Sequence, residues 1–254
     1  MSWAARRRFF ILLVLGAIIV AIIALLSIAT FYKTPSCTDG IQNQSEEGVD
    51  CGGPCPYLCT AMVEPPTILF TKALTNSAGR TDVIASVENK NASAAAKDVP
   101  YRITLYGANQ ALIQEAAGTI DLPPAATEPV FVPGVASGKQ VVFGAFLSID
   151  ASAPQWFRVA GDPRIIPSVS SATEDGTASA PRVEAVLVNS STSALSNVQA
   201  IVMVRGVQGD IIAASRTIVP SIPAQGRATA IFTWNNPFPS APASIEVVPI
   251  IPLP

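Results

Sequence analysis

Between Arg8 and Lys33 the chain carries no charge, and residues 9–31 read FFILLVLGAIIVAIIALLSIATF. As an α-helix these 23 residues rise about 35 Å, enough to cross a hydrocarbon core of about 30 Å. A segment of this kind must lie in a bilayer or be cut away, so it decides where the rest of the chain folds. Arg6, Arg7 and Arg8 stand at its N-terminal edge. By the positive-inside rule they keep the short N-terminus in the cytoplasm and send the C-terminal bulk outside, with Phe31 and Tyr32 at the outer interface. A cleaved signal peptide is the alternative. Its apolar part is usually about 7–15 residues, shorter than this run, although Ser27-Ile28-Ala29 offers a small-residue cleavage site. The expected reading is an uncleaved signal-anchor and a single-pass protein of the cell membrane.

Charge divides the chain into three regions. Residues 1–33 hold Arg6, Arg7, Arg8 and Lys33 and no acid, whereas residues 34–64 hold Asp39, Glu46, Glu47, Asp50 and Glu64 and no base. The remainder is almost neutral, and the whole carries −2. No basic excess is available to release counterions from a phosphate backbone, which argues against nucleic acid. The chain also has no His, so His-dependent nucleophile activation, His-ligated zinc and imidazole pH switching are excluded.

All four cysteines, Cys37, Cys51, Cys55 and Cys59, lie in the acidic region with spacing C-x13-C-x3-C-x3-C. Outside the membrane an even number of close cysteines reads as disulfides, here two bridges with three connectivities open. A four-thiolate zinc site is the competitor, though zinc ribbons favour C-x2-C pairs. A redox centre at Cys51-Gly-Gly-Pro-Cys55 departs from the C-x-x-C spacing. A Cys51–Cys55 bridge would close a very short loop, so Cys37 is expected to reach one of the later three. Asp39, Asn43, Glu46 and Asp50 place oxygen ligands in the same Gly-rich stretch, a composition that suits Ca2+. Solvation of a small cross-linked loop accounts for the same acids.

Cys37, Asp39, Gly40, Asn43, Glu46, Gly48, Asp50, Cys51, Gly52, Gly53 and Cys55 together resemble a C-x-D-G-x-x-N-x-x-E-x-G-x-D-C-G-G-x-C module. That module belongs to uncharacterised exported surface proteins of bacteria and archaea, beside β-sandwich domains. The resemblance implies export and surface exposure and assigns no reaction.

Past Pro65 the sequence alternates with period two. Val83, Ala85 and Val87 interleave with Asp82, Ile84, Ser86 and Glu88; Tyr101, Ile103 and Leu105 interleave with Arg102, Thr104 and Tyr106. The first set of each reads as core and the second as solvent face. The 22 prolines suit strand edges and turns and disfavour helices. Residues 83–113 align with 183–212 at an offset near 100, through Val83/Val183, Ala85/Ala185, Asn89/Asn189 and Gly107/Gly206, and an aromatic strand follows at Phe131 or Phe232. An internal repeat of this length is the size of one immunoglobulin-like or fibronectin-like domain. The expected architecture is an all-β ectodomain of two tandem antiparallel β-sandwiches, 65–160 and 161–254. It stands behind a transmembrane region at 1–33 and a disulfide module at 34–64. Val87-Glu88-Asn89 with Ile103-Thr104-Leu105-Tyr106-Gly107 also resembles bacterial sandwich domains of the FxLYD type, with Gly107-Ala108 where that family turns at Asp-Gly.

No catalytic constellation emerges. Ser137-Gly138-Lys139 has the residues of a Ser-Lys pair but reads as a turn, and the acids of the body are scattered singly on solvent phases. Trp156 and Trp234 read as core or edge aromatics. Three N-x-S/T sequons fall at Asn43, Asn91 and Asn189. The expected role is a non-catalytic structural or adhesive one, with another envelope protein or a surface glycan as partner. The alternative is an extracytoplasmic enzyme, a His-free hydrolase or a thiol-redox protein.

Overall fold

The computed structural model describes residues 3–31, 36–43, 45–138, 140–150, 152 and 154–254. Tyr32, Lys33 and Lys139 lie outside the described residues. The chain forms two compact units, Met1–Cys55 and Pro56–Pro254.

In the first unit, helix α1 (Trp3–Phe31) contains the whole apolar run. Its segment Arg6–Ala29 is long and apolar enough to cross a membrane, and none of it is buried in protein. Apolar residues on every side of a helix have no core to face; a lipid environment is the solvent in which such a surface is stable. After the helix, residues 36–55 form turns and a single Gly48–Cys51 bridge.

Among its described residues, the regular structure of the second unit is β apart from two short 3-10 turns. Its N-terminal half contains β1 (Thr67–Thr75), β2 (Arg80–Asn89), β3 (Ala94–Tyr106), β4 (Leu112–Leu122), β5 (Ala126–Ser137), β6 (Gly144–Ile149) and β7 (Trp156–Arg158). These build one sheet in the order β1-β2-β5 and another in the order β4-β3-β6, with β7 also paired to β3. The C-terminal half contains β8 (Ser168–Thr177), β9 (Ala180–Val188), β10 (Leu195–Gly206), β11 (Ile211–Ile222), β12 (Arg227–Thr233) and β13 (Pro242–Ile250). Its sheets run β12-β9-β8 and β11-β10-β13. Every pairing is antiparallel. The protein is therefore an all-β domain behind one apolar helix.

Each half encloses its own core. Val83, Ala85 and Val87 of β2 meet Val99, Ile103 and Leu105 of β3, and Trp156 closes that core. Val183, Ala185 and Leu187 of β9 meet Val198, Ala200 and Val202 of β10 around Phe232. Asn89 and Asn189 seal matching ends of the two cores. The Asn89 amide NH2 is directed at the carbonyls of Ala94, Leu122 and Pro123, and that of Asn189 at the carbonyls of Ser193, Ile222 and Pro223. A buried amide so satisfied joins the end of β2 to the β3–β4 pair of the facing sheet, and the end of β9 to the β10–β11 pair.

The expected alternation fails on β2, and the reason is a third core. Ile84, read as solvent-facing, is 0% exposed, and Ser86 is buried as well. Ile84 and Phe131 of the β1-β2-β5 sheet pack against Ile201, Met203, Ile211 and Ala214 of the β11-β10-β13 sheet. The two sandwiches are thus stacked sheet on sheet, and both inner sheets are covered on both faces. Full burial of each large side chain there contributes about 1.5–3 kcal/mol. Residues 65–160 and 161–254 consequently share a hydrophobic interface in addition to their separate cores. Phe131 and Phe232 are also not counterparts: Phe131 points into the shared interface and Phe232 into the second core. A one-residue offset along a strand reverses the face.

Candidate functional site

The cysteine segment is held by its own acids. Glu46 is buried, and its Oε2 accepts the N–H groups of Asn43 (3.2 Å) and Asp50 (3.3 Å). Asp50 Oδ1 accepts the Asp39 N–H at 3.0 Å, and its Oδ2 accepts the Gly40 N–H at 2.9 Å. Asp39 in turn accepts the Ile41 N–H and the Asn43 side-chain N–H, both at 2.9 Å. All four expected cation ligands therefore belong to one network, with their carboxylates turned onto N–H donors. Among the described residues, the one group of three or more metal-capable side chains is Cys37, Glu46 and Cys55. Cys37 and Cys55 are joined as a disulfide, so the group offers no thiolate. A Ca2+ ion at Asp39, Asn43, Glu46 and Asp50 would share the three carboxylates with the N–H donors they already accept, whereas the Asn43 Oδ1 is buried with no hydrogen-bond partner among the described residues.

Cys37 reaches Cys55, a later cysteine as the loop argument required, and Cys51 and Cys59 are disulfide-bonded as well. No cysteine is free among the described residues. Cys55 is bonded to Cys37, so Cys51 and Cys55 do not form a redox couple with one another. The Gly-Gly step between them is steric. Gly53 has φ +55°, and a Cβ there would lie 2.3 Å from the Ser45 carbonyl oxygen. Only glycine lets the chain turn against that carbonyl.

The second place where polar groups converge is the junction between the sandwiches, and sequence reading missed it. A groove of about 380 Å3 is lined by Tyr101, Asp121, Glu128, Arg164, Asn197 and Arg216, among others. At its floor lies Arg164, whose side chain is 2% exposed. Its Nη1 donates to Glu128 Oε1 (2.8 Å) and to the Ile251 carbonyl (3.1 Å), and its Nη2 donates to Asp162 Oδ2 (2.8 Å). Burial pushes the Glu128 carboxyl above its usual range, against the pull of the Arg164 charge. The hydrogen bond from Arg164 holds Asp162 below the usual range. Burial likewise raises the Tyr101 phenol, with the Arg216 charge opposing it. Asp121 accepts the Asp98 N–H (2.9 Å) and the Leu253 N–H (2.7 Å), so the C-terminal tail is fastened back onto the first sandwich.

This arrangement does structural work. Arg164 links the inter-sandwich linker, β5 and the tail, and its donors are spent on fixed acceptors rather than aimed into open space. Glu128 is the exception to the expectation that the acids of the body sit singly on solvent faces. The other sequence candidates are dispersed. Ser137 ends β5, and its proposed partner Lys139 is outside the described residues. Trp156 is buried in the first core. Trp234 packs at the edge of the second core, its indole N–H donating to the Ala214 carbonyl at 3.3 Å.

The sequons are also committed internally. Asn189 is 1% exposed and its amide is consumed by the core seal, so this sequon is shut away in the folded chain. Asn91 donates its side-chain N–H to the Glu64 carbonyl (2.8 Å), and Asn43 donates to Asp39. No protein-family model matches the chain, the cysteine segment included, and no curated protein is similar to it.

Proposed function

We propose that this chain is a single-pass, membrane-anchored envelope protein with its N-terminus in the cytoplasm. Two immunoglobulin-like sandwiches, related as an internal repeat, then serve outside the cell as a rigid, non-catalytic structural or interaction module. One observation carries the reading: the apolar run of α1 begins directly after Arg6–Arg8 in the helix's first turns and is followed closely by cysteines that are oxidised. Disulfides persist in extracytoplasmic compartments, so they favour the same orientation as the arginines. The stacked sheets, the Arg164 network and the tail clip support a body that holds its shape and spaces a surface from the membrane.

The test combines topology with thiol chemistry. Protease added outside cells with a permeable outer envelope should degrade the β-region and spare the N-terminal stub. A membrane-impermeant alkylating reagent should label no cysteine until a reductant is added. Mature protein beginning near Thr30 and released into the medium would refute the anchor, and four alkylated cysteines without reductant would refute the compartment.

A further inference from the structure

The outer face of the β4-β3-β6 sheet ends in an apolar cluster that no other part of the described unit covers. Tyr106 pairs with Leu112 across β3–β4 and with Gly144 across β3–β6. Phe146, opposite Thr104, packs edge-on against Tyr106 with ring centroids 5.8 Å apart. Phe143 donates its backbone N–H to the Tyr106 carbonyl at 2.8 Å, and the Val141 carbonyl lies against Gly107. Leu112, Val141, Phe143 and Phe146 are 60, 68, 73 and 65% exposed. Single exposed apolar residues are ordinary, but aromatic and aliphatic residues gathered at one sheet end by strand register and backbone contact mark an interaction surface.

Three properties indicate what fits it. Residues 106–114 and 140–149 contain no charged side chain, and Glu115, in the same row as Phe146, is ion-paired with Arg102, so this surface set against its own copy brings no unpaired like charges together. An isologous contact requires that self-complementarity. At their observed exposures the four side chains offer roughly 500 Å2 on each copy, on the scale of about 150–250 Å2 per aromatic. Two copies together reach about 1,000 Å2, the lower bound for a specific interface. The patch also lies at the end of its sandwich away from the incoming chain. That chain arrives where Leu58 donates its N–H to the Trp156 carbonyl and Asn91 bonds Glu64. From there β3 runs 13 residues, about 40 Å, to Tyr106. This position leaves the patch clear of the chain that enters the sandwich.

We propose that the patch formed by Tyr106, Leu112, Val141, Phe143 and Phe146 is a self-association surface that pairs two copies of this chain in one membrane. The proposal rests on the anchored, interacting role given above. Confinement to a bilayer raises the effective concentration of the second copy, which lets an interface at the lower size limit hold. The corresponding face of the second sandwich is already occupied, because its Ile201 and Met203 are buried against the first sandwich.

The experiment uses the full chain, fluorescently labelled at its N-terminus and reconstituted in liposomes over a range of protein-to-lipid ratios. Energy transfer between copies reports pairing. Phe146→Glu is expected to weaken association at least tenfold, and Phe143→Glu to do the same. Val207→Glu, which charges an equally exposed position on the second sandwich, should leave association unchanged. Phe146→Ser is the companion that adds no charge beside Thr104, and each variant must keep the parent β-type circular dichroism and melt. Association unaffected by the Phe143 and Phe146 variants would overturn the proposal, as would a parent chain that stays monomeric at every density. A monomeric parent that still resists carbonate extraction from cell membranes overturns the pairing alone. Loss of the chain from the carbonate-resistant fraction defeats the anchored reading instead.

Discussion

Replacing Arg164 by Met would remove the cation at the junction while keeping most of the side-chain volume. Glu128, whose side chain is 8% exposed, then loses the guanidinium 2.8 Å from its Oε1 and remains in a low-dielectric site. Removing one partner of a buried pair costs about 3–5 kcal/mol, a large part of a domain stability of about 5–15 kcal/mol. The sign of the pH dependence follows from the carboxyl. Burial already raises the folded-state pKa of Glu128 and Arg164 pulls it down, so the substitution lets it rise further. Between the unfolded value, about 4.3, and the raised folded value, the native state binds more protons than the unfolded state, and stability falls as pH rises. Asp162 behaves oppositely. The hydrogen bond from Arg164 depresses its pKa, so its contribution is present above the unfolded value and is lost as pH falls through the folded one. The variant forfeits that contribution at neutral pH. The R164M deficit should therefore be greatest at pH 7 and should shrink as the pH is lowered to about 5, the direction in which Glu128 takes up its proton, while the loss at Asp162 remains. Urea denaturation followed by circular dichroism at the two pH values measures it. In the double variant R164M/E128Q the buried charge is gone, and stability at pH 7 should recover above that of R164M. Equal deficits at both pH values, or a double variant no better than the single one, would refute the buried-charge account.

Ile84→Glu places an unpaired charge in the shared interface and should cost several kcal/mol in the tandem unit. The same change should cost far less in a fragment of residues 65–160, where the site faces water, and comparing the two melts checks the stacking. Asn189→Ala leaves the carbonyls it seals without their donor and should destabilise the second sandwich by about 1–3 kcal/mol in a denaturant titration. Expressed in a glycosylating host, Asn189 should stay unmodified by peptide mass mapping, since its amide is buried when folded. Cys37→Ser opens a crosslink spanning 18 residues, and about 2–4 kcal/mol of constraint is expected to disappear. Limited proteolysis should then cut between residues 37 and 55 at a protease level that leaves the parent intact.

Strand chemistry carried much of this architecture into the sequence. Val83, Ala85 and Val87, and later Val183, Ala185 and Leu187, alternate because one face of each strand meets a core, and these six are 0% exposed. The apolar helix was equally legible, because a long uncharged run has few other physical solutions. What the sequence did not disclose depended on a second covering layer. Ile84 and Ser86 occupy the solvent phase of an ordinary half-buried strand, and only the arriving β11-β10-β13 sheet turns that phase into core. A nearly continuous run of buried residues along β2 resembles a strand covered on both faces, but Asp82 and Glu88 at its ends obscured the signal. Glu128 was hidden for a similar reason. Its cation lies 36 residues away in a linker, and no local pattern announces an ion pair closed by tertiary packing. In the cysteine segment the residues were visible and their work was not: acids that suit a cation by composition serve as acceptors for the N–H groups of their own loop.

The pairing of faces also limits which surfaces can take part in stacking. Ile84 sits opposite Phe131 across β2–β5, and both are buried in the shared interface. One hundred residues on, Glu184 sits opposite Ile231 across β9–β12, with Glu184 ion-paired to Arg182. On the other side of the contact, Ile201 and Met203 are matched ninety-nine residues earlier by Arg102 and Thr104, and Arg102 pairs with Glu115 at 3.1 Å. Each sandwich therefore has one apolar face, used in the stack, and one face marked by an exposed ion pair. Such pairs add only about 0–1 kcal/mol of stability, so strengthening the fold is not what they do best. A further sandwich docking with the same geometry would have to desolvate Arg182–Glu184 or Arg102–Glu115, at several kcal/mol per ion, with no apolar surface beneath to offset it. The exception lies along β3. Past Thr104 the charged face gives way to Tyr106, with Phe146 and Leu112 on the neighbouring strands. A partner at this face is confined to the end of the sheet and cannot lie across its length, because Arg102 and Glu115 bar the way. A contact so limited is too small to persist between freely diffusing molecules, so pairing through it should depend on density in the membrane.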